Sequence, residues 1–555
     1  MNGLTLVAIA IVVLLLAYIL YGRWLVKTWG IDETAKTPAY RFEDGQDYVP
    51  ASRFTVFSHQ FNSITGAGPV TGPIIAVMFG WLPAFLWLLV GGVFFGAVQD
   101  FTALYASVKN EGKSMGLIIE RYIGRTGRKL FLLFCWLFTL LVIAAFADIL
   151  AGTFNGFTKD GGQNVPGASA ASISMIYIFV AMIFGVFMRF SKSGELSKFI
   201  VGVVLVIAML WAGIANPLYY DAQTWRYIVF GYCFIASVMP MWLLKQPRDY
   251  LSVFLLLGMI LGGAIGIIVA NPTIEAPMFV GWTVKNQPLF PMLFITIACG
   301  AVSGFHSLVS SGTSSKSIAN ERDMLTVGYG AMIVETLLGV VALVIACSAV
   351  KGGGLPTGNP FQIFGSAVGE FFTMFGLPAH VSSCVIMMCV SALAMTTIDA
   401  VTRIGRMSLQ EFFSPAEGGD KGFIETVVST VITLAFAYTL CLAGYANIWP
   451  LFGAANQLLS ALVLTALSVF LRVTGRKGWM LYVPMTFMFI VTMSALAISV
   501  YNIIEKVNAG NFVPMVDGMQ LVIALALMTL AVLVVYHCWK ELISPKVDKN
   551  IATAH

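Results

Sequence analysis

The chain contains fifteen stretches of mostly apolar residues, distributed from one end to the other. A helix of about 20 apolar residues is long enough to cross the hydrocarbon core of a bilayer. Apolar residues make up 58% of the sequence and charged residues only 11%, which excludes a soluble globular protein. The sequence therefore predicts an all-α polytopic membrane protein with about 15 transmembrane helices. The predicted spans are residues 4–22, 54–79, 82–107, 129–150, 171–190, 197–215, 225–244, 251–270, 289–311, 326–350, 379–400, 424–443, 447–471, 480–502 and 518–540.

The positions of Lys and Arg predict the orientation of these spans, because short cytoplasmic loops are rich in both residues. When the loops are assigned alternately to the two sides from an external N-terminus, 27 of the 32 basic residues fall on the cytoplasmic side. We therefore expect the N-terminus outside and the C-terminus inside. The remaining five basic residues lie in outer loops: Lys159, Arg226, Lys285, Lys351 and Lys506.

The loops leave no room for a soluble domain, because even the longest, near 23–53 and 400–423, are short. Receptors and soluble enzymes are thereby disfavoured. We divide the chain into an N-terminal anchor helix with its cytoplasmic loop, a ten-helix core, and a set of C-terminal transmembrane helices, with bounds at residues 1–53, 54–400 and 401–555. The apolar stretch 361–378 is too short to span and is a candidate re-entrant segment.

A cluster of glycine and proline interrupts the second span, which reads SITGAGPVTGP over residues 63–73. Glycine weakens a helix, and proline lacks a backbone donor, so this sequence frees polar backbone groups at membrane depth. Such a break survives only inside protein or beside a water-filled cavity. We predict a broken helix that binds a ligand through backbone near Gly66, Ala67 and Gly68; the alternative is a kinked packing helix.

The span 225–244 also contains a proline, in the sequence FIASVMPMW over residues 234–242. Counting from span 54–79, it is the sixth helix of the core, and the alternating topology gives it the opposite direction. Two broken helices of opposite direction predict the inverted 5+5 repeat of amino acid and cation symporters, which hold their substrate between those helices at the membrane midplane. We therefore expect Ser237, Met239 and Pro240 to line the substrate site with the first break.

The eighth helix of that core ends in a hydroxyl-rich sequence, SGFHSLVSSGTSSK over residues 303–316. Hydroxyl and carbonyl oxygens suit a hard cation. Ser310, Ser311 and Thr313, facing a carbonyl near Gly66, would therefore form a sodium site. The alternative is that these hydroxyls bond their own helix backbone. The amides of Asn456 and Gln457 lie within another span, where hydrogen bonds between helices are the favoured interpretation.

Ionisable residues within the spans are few, and each is costly there unless paired or hydrated. His306 is the first candidate for a proton-coupling or substrate-contacting group, because histidine exchanges protons near neutral pH. Glu335 is the deepest carboxylate by position. His59 is a further candidate, and Asp100 and Asp399 lie nearer the cytoplasmic ends, where salt bridges to loop arginines are favoured. The basic residues form no stripe that would suit nucleic acid.

Five motifs taken in order along residues 40–471 resemble the carbon starvation protein A family. They are DGQDYVP at 44–50, the region 59–73, VQDF at 98–101, ASVMPMWLLKQPRDYL at 236–251 and CGAVSGFHSLVSSGTSSK at 299–316. The resemblance implies a symporter-like core and an inner-membrane transporter of pyruvate or peptides. Two departures stand out, since family members carry a histidine pair where this chain has His59 and Gln60, and Thr-Pro where it has Ser314 and Ser315.

These observations predict a secondary active transporter of the bacterial or archaeal plasma membrane that works by alternating access. Its partners would be the lipid bilayer and a small nutrient such as pyruvate, a peptide or an amino acid-like molecule, and its coupling ion a proton or sodium, with no other cofactor. The alternatives are a passive channel, since broken helices also build pores, and a membrane enzyme, disfavoured because no catalytic cluster is visible.

Overall fold

The computed structural model describes residues 2–44, 48–158, 160–191, 194–240, 243–350, 354, 358–374, 376, 378–413 and 422–543. Four parts of the sequence discussed above lie outside these residues. They are Lys159 and Lys351 of the charge count, part of the 44–50 motif, and residues 241–242 of the second proline-containing span. The described residues are mainly helical and include a hairpin of two short strands, Thr283–Val284 and Gln287–Pro288.

Twelve helices in the described part of the chain are long and apolar enough to cross a membrane, and each lies at a predicted span. Three contain a π-helical stretch, at Ala17–Gly22, Gly92–Gly96 and Leu325–Gly330. The prediction of a polytopic all-helical protein is confirmed. The twelve are Gly3–Trp29, Trp81–Lys109, Arg125–Phe154, Val165–Phe190, Leu196–Ala215, Pro247–Ala270, Leu325–Ser348, Ala379–Phe413, Phe423–Cys441, Tyr445–Val473, Trp479–Asn508 and Asp517–Ile543.

The other three predicted spans contain shorter helices. Span 54–79 consists of Arg53–Ile64 and Gly68–Ala76, which we call the first broken helix. Span 289–311 consists of Leu289–Thr296 and Gly304–Gly312, the second broken helix. Span 225–244 is the 17-residue helix Ala222–Val238. The remaining short helices are Pro38–Arg41, Val77–Phe79, Met115–Ile123, Ser314–Lys316 and Pro360–Thr373.

The positions of the two breaks correct one expectation. Helix Ala222–Val238 is not interrupted at its centre: it ends before Pro240, and the next helix begins at Lys245. Proline cannot donate the next helical hydrogen bond, so it can end a helix as well as kink one. The second break lies instead in span 289–311, which we expected to be continuous, where residues 297–303 leave the helical conformation.

Burial separates a protein-enclosed centre from a lipid-facing periphery. The most apolar stretch of helix 445–473 is buried throughout, whereas that of helix 196–215 is only 22% buried. Helices 125–154 and 379–413 pack along each other beside this centre. Large apolar side chains such as Phe179, Ile183 and Trp211 are exposed on the periphery, as expected where the solvent is lipid.

Segment 361–378 contains a real helix, Pro360–Thr373, of 14 residues. Asn359 caps it in a reciprocal capping box with Gln362, and the helix packs against 379–413. It is too short to cross a membrane. Residues 375 and 377 of the segment lie outside the described residues.

Candidate functional site

The first break spans Thr65, Gly66 and Ala67, between the two halves of the first broken helix. The second half begins at Gly68, so its first amides have no partner one turn earlier within the helix. The Thr65 hydroxyl is buried and has no hydrogen-bond partner in the described part of the chain. The predicted break is therefore confirmed as a structural feature, with unused polar groups at its centre.

The two breaks lie directly against each other. A side-chain carbon added to Gly68 would lie 2.5 Å from Cβ and Sγ of Cys299, and one added to Gly72 would lie 2.7 Å from the carbonyl oxygen of Thr296. Only glycine permits so close an approach. We call this contact, formed by residues 65–68 and 297–303, the break crossing.

Side chains from neighbouring helices satisfy the carbonyl groups that the second break frees. Trp87 Nε1 donates to the Ile297 carbonyl at 3.2 Å, and Gln457 Nε2 donates to the Phe294 carbonyl at 2.5 Å. Asn456 Nδ2 donates to Ser303 Oγ at 3.1 Å. The interhelical role predicted for Asn456 and Gln457 is thus observed, and both amides serve the break.

Gln99 is a residue of this site that is absent from the sequence-based candidates. Its Nε2 donates to the Ser303 carbonyl at 2.7 Å and to Ser307 Oγ at 2.6 Å, while its Oε1 accepts from Ser460. The available signal was an amide side chain within the apolar span 82–107, directly before Asp100, because a polar group in such a span needs a hydrogen-bond partner. Gln99 joins helix 81–109 to the second half of the second broken helix.

Three of the five proposed proton-coupling residues form one buried cluster. His306 Nδ1 lies 3.0 Å from Asp100 Oδ2, and His306 Nε2 lies 3.3 Å from Glu335 Oε2. All three side chains are at most 1% exposed. We call Asp100, His306 and Glu335 the buried triad.

The triad lies deep within the membrane-spanning helices. At the usual rise per residue, Asp100 lies about 14 Å from the end of its helix at Lys109. Glu335 lies about 15 Å from the start of its helix at Leu325. The expectation that Asp100 pairs with a loop arginine is wrong, because its partner is His306.

The other two candidates lie elsewhere. Asp399 accepts hydrogen bonds from Arg248 at 2.9 Å and from Arg403 at 3.2 Å, so its expected pairing with arginine is observed. His59 lies on the first half of the first broken helix, within electrostatic reach of Lys245.

The hydroxyl groups expected to bind sodium do not converge on the first break. Ser310 Oγ accepts from Gln60 Nε2 at 2.8 Å. Ser311 Oγ donates to the Ser307 carbonyl at 2.6 Å and accepts from the Met115 amide. Thr313 follows the helix end and is exposed.

Gly66, the intended carbonyl partner of those hydroxyls, instead lies against Thr397 of helix 379–413. Ser311 thus bonds its own helix backbone, as in the alternative interpretation, whereas Ser310 is bonded to the side chain of Gln60 on the first broken helix.

The substrate-site residues predicted from span 225–244 form a helix end. Arg403 Nη2 donates to the carbonyls of Ala236 and Met239, and Arg406 Nη1 donates to the Ser237 carbonyl at 3.0 Å. The Ser237 hydroxyl lies 3.2 Å from Thr430 Oγ1. Ser237 and Met239 therefore belong to the contact with helix 379–413, Ser237 also contacts helix 423–441, and Pro240 is exposed.

Comparison with protein families gives one match that covers most of the chain. The sequence profile of the family described as Carbon starvation protein CstA matches residues 2–355 and 353–495.

Several curated proteins are similar to this chain over most of their length. The peptide transporter CstA of Escherichia coli K12 is 30% identical over 93% of this chain and 84% of that protein. The pyruvate/proton symporter BtsT of the same organism is 32% identical over 90% and 82%, respectively. The peptide transporter CstA of Bacillus subtilis 168 is 30% identical over 98% of both chains.

Solved structures with a similar course of the chain include MhsT in complex with L-phenylalanine. Its TM-score is 0.49 at 13% identity, with coverage of 89% of this chain and 99% of that chain. A manganese transporter mutant of Eremococcus coleocola has a TM-score of 0.46 at 12% identity, covering 92% and 99%.

Proposed function

Since this chain belongs to the carbon starvation protein CstA family, we propose that it takes up a small carboxylate-bearing nutrient by proton symport with alternating access. The chain is a multi-pass membrane transporter and not an enzyme, and its relatives bear the names peptide transporter and pyruvate/proton symporter. Both substrate types carry a carboxylate, so the site must first recognise that group.

The break crossing is the proposed site for this carboxylate. The half-helix Gly68–Ala76 presents its N-terminal amides there, and helix N-termini attract anions through their dipole and free donors. The unpartnered Thr65 hydroxyl supplies a further polar group. Gly66, Ala67 and Gly68 are the proposed contacts of the carboxylate on the first broken helix. Cys299, which is half-buried, faces them from the second broken helix.

An inverted repeat with corrected partners supports this site. The first broken helix is followed by helix 81–109, the short helix 115–123 and the long helix 125–154. The second broken helix is followed in the same order by helix 325–348, the short helix 360–373 and the long helix 379–413. In this arrangement the break crossing joins the two repeats, as in transporters built from inverted repeats.

The same correspondence moves the boundaries of the proposed core. Helices 423–441 and 445–473 pack on helix 125–154, while helices 165–190 and 245–270 pack on helix 379–413. We therefore assign residues 53–473 to the core, with helices 196–215 and 222–238 as an insertion between its fourth and fifth helices.

Contacts between loops agree with an arrangement of fifteen crossings, and the external N-terminus rests on the charge distribution alone. Asn2 pairs with Thr273, two residues assigned to the outer side. Ala51 pairs with Ile318, and Trp29 Nε1 donates to the Lys477 carbonyl, both between segments assigned to the cytoplasm. For these pairs to share a side, the second broken helix must count as one crossing, and the first broken helix and helix 222–238 must either both count or both not count.

The buried triad is the observation that carries proton coupling. With His306 protonated and both carboxylates ionised, the triad would have a net charge of −1 in a dry interior, which is costly. A second proton on a carboxylate removes that charge. Asp100 Oδ2 is hydrogen-bonded to His306 at 3.0 Å, whereas Glu335 Oε2 contacts His306 at 3.3 Å without a hydrogen bond between them, so Glu335 is the less firmly held carboxylate. We assign the exchangeable proton to Glu335.

Transport by purified protein tests the proposal. Liposomes containing the full chain should accumulate labelled pyruvate or dialanine when an inward proton gradient is imposed, and should accumulate neither when only a sodium gradient is present. Equilibration without accumulation would indicate a channel and contradict symport.

Cys299 provides a test of the site itself. A small thiol reagent should modify Cys299 at a rate that falls as pyruvate or dialanine is added, because substrate at the break crossing covers the thiol. The other described cysteines are buried, so a Cys299→Ala variant serves as the control for labelling elsewhere. A rate unaffected by a substrate that the protein transports would move the site away from the crossing.

A further inference from the structure

A second group of charged residues, half of them buried and half of them half-buried, lies at the cytoplasmic ends of helices 245–270 and 379–413, close to the end of helix 222–238. Its cations outnumber its carboxylates by four to two. Its buried members, Arg248, Arg403 and Asp399, also carry a net positive charge, which is unfavourable away from water unless an anion approaches it. We call this group the inner basic cluster; its members are Lys245, Arg248, Arg403, Arg406, Asp249 and Asp399.

Arg248 is the member of the cluster with unused donors. Its side chain is 0% exposed, and Nη2 donates to Asp399 Oδ2 at 2.9 Å. Its Nε and Nη1 have no hydrogen-bond partner within the described residues. Its guanidinium carbon lies 5.7 Å from the ring centre of Tyr232, whose buried hydroxyl is also without a partner there. Leaving buried donors unpaired is costly, so such groups call for a ligand.

The neighbouring arginine and carboxylate already have structural partners. Arg403 holds the carbonyls of Ala236 and Met239, and thus the end of helix 222–238. Asp399 uses one oxygen for Arg248 and the other for Arg403. The pairing with Asp399 therefore fixes the Arg248 guanidinium in place and leaves its other donors available.

The position of Arg248 relates it to the proposed substrate path. Ser252, one helical turn further along the same face, donates to Asn62 Oδ1 at 3.1 Å. Asn62 lies three residues before the first break, on the cytoplasmic half of the first broken helix. Arg248 is about 6 Å nearer the cytoplasm than Ser252 at the usual rise per residue. It therefore lies below the break crossing, beside the half-helix that would border an inward path.

We propose that Arg248 and the Tyr232 hydroxyl form a second binding station for the substrate carboxylate, between the break crossing and the cytoplasm. Guanidinium is well suited to this task because it stays charged and offers several donors in a planar array. The station rests on the proposed function: the substrate leaves the amides at the crossing and meets Arg248 before release. It would act on entry from the cytoplasmic face and not on capture from outside.

The test compares the two faces of the membrane. Full-length protein is reconstituted in one orientation, and transport of labelled pyruvate and of dialanine is measured with substrate on either side. In Arg248→Gln, KM on the cytoplasmic face should rise about tenfold or more, the usual cost of losing a charge-assisted hydrogen bond. KM on the outer face should stay within about twofold. Arg248→Lys keeps the charge and should show a smaller rise, again on the cytoplasmic face alone.

Arg128→Gln is the matched control, because Arg128 is also a buried arginine paired with carboxylates, Glu120 and Glu411, but lies outside the cluster. Arg128→Gln should change KM equally on both faces of the membrane or leave it unchanged. If the Arg248 variants change KM equally on both faces, or leave KM unchanged, Arg248 does not form a second binding station. If Arg248→Gln does not fold, Arg248→Lys decides by the same criterion. Wild-type protein that transports neither probe would instead overturn the proposed function.

Discussion

Asp100, His306 and Glu335 lie on three different helices and meet in one contact at membrane depth. An isolated ionisable group there costs a few kcal/mol, so each member depends on the others. His306 is the central residue, since its two ring nitrogens contact the two carboxylates. Loss of the imidazole should therefore reduce the stability of the protein more than loss of either carboxylate.

Thermal unfolding of two variants tests this dependence. His306→Met leaves two buried carboxylates without a cationic partner, and breaking a buried pair in this way typically costs about 3–5 kcal/mol. Glu335→Gln leaves the Asp100 and His306 pair intact. We expect His306→Met to lower the unfolding midpoint clearly more than Glu335→Gln, measured by intrinsic fluorescence. The reverse order would show that His306 does not hold the triad together.

The members of the triad could be singled out from sequence, but their arrangement could not. Ionisable residues are rare within the spans, so His306, Glu335 and Asp100 were visible as candidates. The partner of Asp100 was misassigned because its distance from a helix end suggested a loop arginine. Which helices face each other depends on packing that local sequence does not encode, and Gln99 was missed for the same reason.

The break crossing depends on glycine at the point of contact. In Gly68→Ala the added carbon would overlap Cys299, whose atoms would lie 2.5 Å away, so the two broken helices must separate. We expect at least about a tenfold loss of transport activity, since small misplacements at a site are costly.

Gly231→Ala is the control for the crossing. Gly231 lies within a helix and has no heavy atom within 4 Å of an added carbon, so the change should leave uptake near wild type. Normal uptake by Gly68→Ala would mean that the two breaks need not touch.

Gln99 should matter for stability as well as for the site. Gln99→Leu would leave the Ser303 carbonyl and the hydroxyls of Ser307 and Ser460 without their donor or acceptor. An unsatisfied buried polar group costs about 1–3 kcal/mol. We expect a lowered unfolding midpoint and weaker protection of Cys299 by substrate. A variant with unchanged stability and protection would show that Gln99 does not support the second break.

The first break was predictable, and the second was not. Three glycines and two prolines between residues 63 and 73 give a strong local signal. The second break has one glycine, Gly300, with φ +86°, and its carbonyls are satisfied by other helices. The second broken helix was predicted in the wrong span because of Pro240. Proline occurs both at the end of a helix and at a kink within one, and the sequence does not distinguish the two.

The topology of the whole chain was predicted from charge, and it can be tested by labelling. An engineered cysteine replacing exposed Asn511, in a predicted outer loop, should react with an impermeant maleimide in intact cells. One replacing exposed Lys36 should react only after the cells are permeabilised. Labelling in the opposite pattern would invert the proposed orientation, and with it the side assigned to Arg248.

For the protein as a whole, we propose separate sites for substrate and proton, the break crossing and the buried triad. Removing the exchangeable proton should therefore spare substrate movement while abolishing its coupling to the gradient. Glu335→Gln keeps the shape of the side chain and removes its titration, which makes it the sharpest variant for this purpose.

The decisive measurement compares exchange and accumulation in liposomes containing wild-type protein or Glu335→Gln. Wild-type protein should exchange internal for external labelled substrate and also accumulate it when a proton gradient is imposed. Glu335→Gln should retain exchange and fail to accumulate substrate. Accumulation by this variant to the wild-type level would contradict proton coupling through the buried triad.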